Sequence, residues 1–254
     1  MKIHHLRNAT LIMECGNRFI LVDPMLGPKS SALPFTLFRF KPKRNPLLDL
    51  PMNANELLEK VTHCLITHLH TDHLDKEAIS FLKRKKIPIV CSQLDHRVLK
   101  RNQLTIDLSL AYWKPTPYLG GKLIGIPAVH GYGFVRKIAG DVMGFYLKLP
   151  NESSIYISSD TVYTPDVHKV LSELQPGITV FAAGMAQLDI GKLLLMDAED
   201  IIRFIENSPG NVIANHMEAL NHCPNTREHL KNLLKDYGLS HKVAIPEDGE
   251  VISF

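Results

Sequence analysis

Three histidines and two aspartates fall within the nine residues 67–75, whose sequence is THLHTDHLD. Neutral imidazole and carboxylate groups are ligands that zinc, manganese and iron accept. If these groups were buried for structural reasons only, each of them would need its own hydrogen-bond partner. This ligand-rich segment therefore favours a metal site over a purely structural role.

Three further metal-capable side chains each end an apolar run that is typical of a β-strand. His130 follows IPAV, Asp160 follows IYISS, and His216 follows NVIAN. Side chains at the carboxyl ends of strands can be held rigidly while they face a cleft. Taken alone, either histidine is more typical of packing, and Asp160 is more typical of a turn or a helix cap. Beside the ligand-rich segment, they extend the predicted metal site.

The combined set has seven candidate ligands, which are too many for one tetrahedral ion. They are His68, His70, Asp72, His73, His130, Asp160 and His216. Two divalent metal ions are implied, which in such sites lie about 3.5–4 Å apart and share a hydroxide. Zinc is the first choice, with manganese and iron as alternatives, and the lack of cysteine in the set argues against a closed structural zinc site. A carboxylate such as Asp160 between the ions would offset their repulsion.

The composition is that of an ordinary globular protein. The 254 residues are 45% hydrophobic and 22% charged, which supplies a core without disulfides, and we expect one domain over residues 1–254. The formal charge of +3 is small and the basic residues are spread along the sequence. A duplex-binding protein would show a basic footprint, so no nucleic-acid partner is expected.

The sequence also lacks signals for secretion or membrane insertion. The N-terminus MKIHHLRNAT has histidines where a signal peptide has its apolar core, and no window approaches the roughly 18 apolar residues of a membrane span. The four cysteines are far apart and form no Cys-x-x-Cys pair, which argues against a zinc ribbon or a redox dithiol. We expect a cytoplasmic protein with no membrane span.

The order of the predicted elements indicates how the candidate ligands are positioned. Short β-like runs fill the first quarter and the middle of the chain, and strands alternate with helices on either side. This order predicts two packed sheets with helices outside them. Residues 24–51 interrupt the pattern, and an irregular stretch of that length is usually functional or disordered.

The ligand-rich segment matches the His-x-His-x-Asp-His signature of the metallo-β-lactamase superfamily, and FILVDP resembles its strand that ends in Asp-Pro. The resemblance implies an α/β (α+β) fold, a four-layer αββα sandwich with a binuclear site at the edge between the sheets. It also implies a ligand assignment. The first metal would be held by His68, His70 and His130, the second by Asp72, His73 and His216, with Asp160 as the bridge.

A narrower resemblance rests on the segments AAGMAQLD, LLLMDAEDII, ANHMEALNHC and PEDGE. They are similar to the branch of cytosolic hydrolases that includes ascorbate-6-phosphate lactonase and proteins of the N-acylphosphatidylethanolamine phospholipase D type. The diiron, oxygen-reducing members of the superfamily carry glutamate where His70 stands, and they need a flavodoxin-like domain that 254 residues cannot hold. A redox function therefore ranks low. Nucleases of the superfamily carry an inserted domain or an arm, so nuclease activity ranks low.

The resulting hypothesis is a hydrolase in which a metal-bound hydroxide attacks a small ester, lactone or phosphoester. Asp72 would be a metal ligand and would also orient the nucleophile and accept its proton. His222 would contact the leaving group, unless it is a surface-loop or supporting histidine. The alternative from another class is a metal-binding sensor or scaffold without hydrolytic turnover.

The stretch FTLFRFKPKRN mixes aromatic and basic side chains in the irregular region. Its members are Phe35, Phe38, Phe40, Arg39, Lys41, Lys43 and Arg44. It could be a lid that binds a substrate with an anionic group and an apolar part. It could equally be the contact surface of a homo-oligomer, and it has the composition of a membrane-surface patch.

Four residues near the candidate ligands have supporting roles open to them. Asp75 is predicted to cap a helix and could support a ligating histidine, and Asp23 could accept a hydrogen bond from one. Tyr132 and Tyr163 follow His130 and Asp160, and each could donate to substrate, although packing is the more common role.

Overall fold

Fourteen strands form two mixed sheets in the computed structural model, which describes residues 1–254. The first sheet contains β1 (Lys2–Arg7), β2 (Thr10–Cys15), β3 (Arg18–Val22), β4 (His63–Leu65), β5 (Ile89–Ser92), β6 (Ile106–Leu110) and β14 (Val251–Ser253). The second contains β7 (Thr116–Tyr118), β8 (Gly121–Ala128), β9 (Val142–Lys148), β10 (Ile155–Ile157), β11 (Ile178–Ala182), β12 (Asn211–Asn215) and β13 (Val243–Ala244). The strand orders are β14-β1-β2-β3-β4-β5-β6 and β13-β12-β11-β10-β9-β8-β7.

Six α-helices connect the strands: α1 (Ala54–Lys60), α2 (Lys76–Lys85), α3 (His96–Arg101), α4 (Pro165–Lys169), α5 (Ala198–Asn207) and α6 (Arg227–Asp236). Short 3-10 turns lie at Gly133–Lys137 and Ser240–Lys242. The sequence predicts one helix over residues 165–174, whereas α4 continues as a π-helical turn at Val170–Leu174. None of the helices has the length and apolar character needed to cross a bilayer.

The fold has four layers because the strands bury both of their faces. In β2, Leu11 and Met13 join the core between the two sheets, whereas Ile12 packs into the core under α1, α2 and α3. This alternation follows from the two-residue period of a strand. A further core packs α4, α5 and α6 against the second sheet. The predicted αββα sandwich is thereby confirmed.

The end of the ligand-rich segment is joined to the irregular region by one side chain. Asp75 accepts a hydrogen bond from Ala78 N at 2.8 Å and begins α2, as predicted. A side-chain acceptor at this position satisfies an amide of the first helical turn. The other oxygen of Asp75 accepts from Gly27 N at 2.6 Å, so the cap also holds the start of the 24–51 loop.

A buried arginine anchors the same loop from the first sheet. Arg7 in β1 is fully buried. Its guanidinium donates hydrogen bonds of 2.7–2.9 Å to the backbone carbonyls of Met25, Gly27 and Leu48. The loop is therefore irregular in backbone but held by internal hydrogen bonds at both of its ends.

We expect Arg7→Met to lower the free energy of unfolding by about 2 kcal/mol, because buried loop carbonyls lose a charged donor. Urea denaturation measures this change. The matched control is Arg97→Met, which removes an exposed guanidinium from α3 and should alter stability by less than about 0.5 kcal/mol. Equal losses for the two variants would contradict the anchoring role of Arg7.

Candidate metal centre

The seven predicted ligands lie together in two groups at one edge of the sandwich. Within each group, the ligand atoms are all within 4.8 Å of one another. The first group is His68, His70 and His130, and the second is Asp72, His73, Asp160 and His216. Asp160 Oδ2 is 3.3 Å from His73 Nε2 and 3.5 Å from His130 Nε2. Its carboxylate therefore reaches both groups.

The groups converge because neighbouring strands end at this edge. The ligand-rich segment follows β4 of the first sheet, and His130, Asp160 and His216 follow β8, β10 and β12 of the second. The parallel pairing of β10 with β11 and of β11 with β12 brings the carboxyl ends of these strands to one side. A hydrogen bond from Met143 N to Thr67 O, at 3.0 Å, joins the segment to β9 of the facing sheet.

Hydrogen bonds orient two of the imidazoles. His73 Nδ1 donates to Asp23 Oδ2 at 2.9 Å, and His130 Nδ1 donates to Leu194 O at 2.9 Å. The buried Asp23 also accepts from the backbone N and the hydroxyl of Thr67, at 2.8 and 2.7 Å. With Nδ1 as the donor, Nε2 of each ring is left to face a cation. Asp23 thus makes the contact expected of it, whereas no sequence signal marks the Leu194 carbonyl.

His216 is held in a strained position by its neighbours. Its φ of 58° lies in the left-handed region, which a non-glycine residue seldom adopts. Its N–H donates to Asn8 O at 2.9 Å, and its Nδ1 lies 3.7 Å from Cys223 Sγ. A Cβ atom built on Gly184 would lie 2.2 Å from His216 O. Sequence reasoning assigned no role to Asn8, Cys223 or Gly184, because their contacts with His216 depend on packing between separate segments.

We expect Gly184→Ala to weaken metal binding by about tenfold, because the added methyl group forces the His216 backbone away from its position. Titration of the metal-free protein with zinc and a competing chelator measures the affinity. Gly177→Ala is the matched control, since its Cβ would meet its nearest neighbour at an ordinary 3.4 Å. Unchanged affinity in the Gly184 variant would show that the His216 backbone tolerates the shift.

The charges of the second group favour a cation between its carboxylates. Burial by itself would lower the pKa of His73, but Asp160, Asp72 and Asp23 outweigh it and raise that pKa to about 10. Burial would raise the pKa of Asp160, but His216 and His73 hold it well below its usual value. Asp160 Oδ1 is buried and lacks a hydrogen-bond donor. These residues fit a divalent cation, which would displace the imidazole protons.

A cavity of about 320 Å³ lies beside the two groups. Its polar side is formed by His70, Thr71, Asp72, His130, Asp160 and His222. Its apolar side is formed by Phe35, Leu69, Ile138, Ala139, Leu188 and Leu194. No lysine or arginine lines it. Apart from the candidate ligands, the lining is therefore mostly apolar.

His222 lies at the cavity, which excludes the surface-loop alternative. Its side chain is buried, and its ring packs against Phe35 with the ring centroids 4.7 Å apart. Burial lowers its pKa to about 4, so the imidazole is neutral near pH 7. Its Nδ1 is buried without a partner. A neutral imidazole in this position can offer one N–H to a bound molecule.

The other predicted supporting residues lie away from the cavity. Tyr132 OH donates to Asp200 Oδ2 at 2.5 Å, and Tyr163 OH lies 2.8 Å from His168 Nδ1. Neither tyrosine lines the cavity. Both therefore fit the packing role, and Asp75 serves as a helix cap without a hydrogen bond to a ligating histidine.

Of the basic and aromatic stretch, only Phe35 lines the cavity. Its backbone N donates to Asn221 Oδ1 at 2.9 Å, which fixes the loop beside His222. Arg39 Nε donates to Leu188 O and Arg44 Nε to Ser30 O, each at 2.7 Å. Neither arginine lines this cavity, but Arg44 lines an adjoining cavity that shares Phe35 and Thr71 with it, so the predicted binding of an anionic group stays a prediction.

Comparisons with known proteins agree with this geometry. A family model described as a beta-lactamase superfamily domain matches residues 18–216. The UPF0173 protein YddR of Bacillus subtilis is 34% identical over 257 residues, which cover 100% of both chains. A possible metal-dependent hydrolase from Veillonella parvula is 29% identical with a TM-score of 0.89, and an isothiocyanate hydrolase from Delia radicum gut bacteria is 29% identical with a TM-score of 0.91. Each of these two structures covers 100% of this chain, which covers 99% of theirs.

The match extends well beyond the signature that suggested it. The family model spans both the ligand-rich segment and His216, and the similar structures have the same overall fold. The narrower resemblance to the lactonase and phospholipase branch stays a prediction. This chain belongs to the metallo-β-lactamase superfamily and is a hydrolase of that superfamily.

Proposed function

We propose that this protein is a binuclear metal-dependent hydrolase that acts on a small, uncharged electrophile with an apolar substituent. The observation that carries the proposal is the position of Asp160, whose carboxylate reaches two groups of ligands on the polar side of an apolar cavity. If only one cation were bound, one of the two ligand groups would have no metal to bind. Zinc is the proposed metal, with manganese and iron as alternatives for the same donors.

The residues present divide between two cations. His68, His70 and His130 would hold the first, and Asp72, His73 and His216 the second, with Asp160 between them. When bound, the cations would lower the pKa of a shared water to about 7 and would polarise the electrophile. Asp72 lines the cavity, so its carboxylate can also orient the attacking water and accept its proton.

His222 completes the polar side of the cavity from the opposite loop. As a neutral imidazole next to Phe35, it can donate a hydrogen bond to the leaving group or to the oxygen or sulfur on which charge develops. It has no proton to give up as an imidazolium near pH 7. Its replacement by glutamine, which keeps a donor, should therefore preserve more activity than replacement by alanine.

The apolar lining of the cavity limits the class of substrates that fit it. Esters and lactones without a charged group fit it, whereas a phosphoester would have only the proposed cations to meet its charge, because no lysine or arginine lines the cavity. The relative from Delia radicum gut bacteria is named an isothiocyanate hydrolase. Isothiocyanates are small, uncharged electrophiles with an apolar substituent, so we include them among the proposed substrates.

The test of this function is a substrate panel run with zinc, manganese and iron loaded separately. The panel contains a neutral carboxylic ester, a lactone, benzyl isothiocyanate and a phosphate monoester. We expect kcat/KM for at least one uncharged substrate to exceed that for the phosphate monoester by about tenfold or more. Two bound metals with no turnover on any substrate would instead support the sensor or scaffold alternative.

We expect Phe35→Ala to raise KM for apolar substrates by about tenfold and to lower kcat by a smaller factor, because the ring forms one wall of the cavity and also packs against His222. Steady-state kinetics on substrates with methyl and benzyl substituents measures the effect. Phe38→Ala is the matched control, since Phe38 lies in the same loop and is 88% exposed. A similar change in KM for both variants would count against a specific contact with substrate.

The remaining expectations are also proposals. We propose that residues 1–254 form one domain, because the two sheets share a continuous core. The four cysteines are buried and unpaired, which supports a reducing, cytoplasmic compartment. The homo-oligomer stays a prediction.

A further inference from the structure

Three segments that border the cavity carry exposed apolar side chains. We call residues 33–44, 133–140 and 188–192 together the mouth face. Six of the thirteen exposed large hydrophobic residues of the chain lie on it: Leu33, Leu37, Phe38, Phe134, Ile138 and Ile190. Phe38 is 88% exposed and Ile190 is 76% exposed. Such a concentration on one side of a protein marks an interaction surface.

Direct contacts show that the three segments form one surface. The carboxylate of Asp189 accepts hydrogen bonds from the backbone N–H groups of Leu37, Phe38 and Arg39, at 2.8–2.9 Å. A Cβ atom built on Gly191 would lie 3.3 Å from Phe134 Cζ. Ile138 and Leu188, from two different segments, line the same cavity. The exposed apolar side chains therefore surround the approach to the cavity.

The mouth face is also strongly positive. It carries seven basic residues, which are Arg39, Lys41, Lys43, Arg44, Arg136, Lys137 and Lys192, and a single acidic residue, Asp189. Its formal charge of +6 is twice the +3 of the whole chain, so the rest of the chain is net negative. All seven basic residues are exposed and none forms a salt bridge. These seven residues come from three segments that are far apart in the sequence, and the fold brings them together here.

We propose that the mouth face docks on an anionic lipid surface, with its apolar side chains in the interface and its basic side chains on the phosphate head groups. Exposed aromatic and aliphatic side chains framed by lysine and arginine are the composition of proteins that lie on membranes, and anionic lipids attract each such basic residue. A second copy of this chain fits less well, because pairing would bring two faces of like charge together.

Docking in this orientation would turn the cavity toward the bilayer, where apolar, uncharged compounds concentrate. That consequence rests on the proposed function, whereas docking itself does not. A protein that binds vesicles but hydrolyses nothing would leave the docking proposal standing. A protein that hydrolyses the panel but ignores vesicles would overturn docking alone.

The experiment is co-sedimentation of the metal-loaded full chain with vesicles. One set contains phosphatidylcholine alone, and the other contains phosphatidylcholine with phosphatidylglycerol. We expect the partition coefficient to be about tenfold or more higher on the phosphatidylglycerol vesicles and to fall when salt is raised to about 1 M. Equal partition on the two sets, or no binding to either, would overturn the proposal.

Two pairs of variants test whether this face is the one that binds. Phe38→Ser with Ile190→Ser, and Arg136→Gln with Lys137→Gln, should each lower the partition coefficient by about tenfold. The matched controls lie on other exposed surfaces: Met52→Ser with Leu94→Ser, and Arg97→Gln with Lys100→Gln. The controls should bind as the parent does, and unchanged melting temperatures would show that all variants fold.

Two further results would overturn the proposal. The first is equal loss of binding in the mouth-face and control variants, which would mean that net charge alone drives adsorption. The second is a concentration-dependent dimer that the mouth-face variants abolish, seen by light scattering after gel filtration. That outcome would assign the same surface to a second copy of the chain.

Discussion

Asp160→Asn should reduce kcat/KM by about a thousandfold or more and leave fewer than two cations bound per chain. The substitution preserves the shape of the side chain and removes its charge. Asp160 Oδ2 lies 3.3 Å from His73 Nε2 and 3.5 Å from His130 Nε2 and His216 Nε2, so a neutral amide would leave the repulsion between two cations uncompensated. Metal content by plasma mass spectrometry and steady-state kinetics measure the two effects.

The control for this variant is Asp107→Asn, which removes an exposed carboxylate from β6 and should leave metal content and kinetics unchanged. Near-UV circular dichroism would establish that both variants keep the native packing. An Asp160 variant that holds two cations and turns over substrate at the parent rate would disprove the bridging role. The two-metal proposal would then need another source of negative charge.

Asp23→Asn should lower the free energy of unfolding of the metal-free protein by about 4 kcal/mol and weaken metal binding by about 10- to 100-fold. The buried carboxylate accepts from the N–H and hydroxyl of Thr67 and from His73 Nδ1. An amide keeps one acceptor but turns its NH₂ group toward a donor, so at least one of these hydrogen bonds becomes a repulsive contact. His73 would then lose the group that orients it.

Asparagine is the right replacement because it removes the charge of the side chain without changing the backbone conformation. Asp23 has a φ of 44°, in the left-handed region that asparagine also adopts. Urea denaturation with a chelator present measures stability without the contribution of bound metal. Asp49→Asn, which changes an exposed carboxylate of the 24–51 loop, is the matched control. Should the Asp23 variant lose stability without losing metal affinity, its support of His73 would be structural only.

Much of the candidate site could be predicted because its ligands are recognisable from short stretches of the sequence. The imidazoles and carboxylates of the ligand-rich segment are close in sequence, and the remaining ligands stand directly after apolar runs that become β8, β10 and β12. Asp75 is recognisable as a cap because the helix it begins follows at once. Patterns of this kind depend on strand period, capping and ligand type, which act over a few residues.

Residues that support the site from a distance could not be predicted in the same way. Gly184 matters because its backbone lies against the His216 carbonyl, and Arg7 because three loop carbonyls surround it. Leu194 contributes only its backbone carbonyl, which every residue has. Roles of this kind arise from packing between elements far apart in the chain, so residue type alone does not predict them.

The irregular loop is another case in which the sequence predicts the type of role and the packing decides which side chain has it. Its sequence predicts a lid or an interaction surface, and the structure places its side chains in different surroundings. Phe35 turns into the cavity, whereas Phe38 remains exposed beside Arg39. Hydrogen bonds to Asn221 and Asp189, both more than a hundred residues away, decide this difference.

The sequence by itself therefore determined the seven candidate ligands through residue chemistry and strand periodicity, and it determined the superfamily and the αββα layers through its resemblance to the His-x-His-x-Asp-His signature. Only the tertiary structure decided which side chains line the cavity and that seven basic residues from three separate segments meet on one face. Both are properties of surfaces assembled from separate loops. The order of residues along the chain does not encode such neighbours until the sheets pack and the strand ends are brought to a common edge.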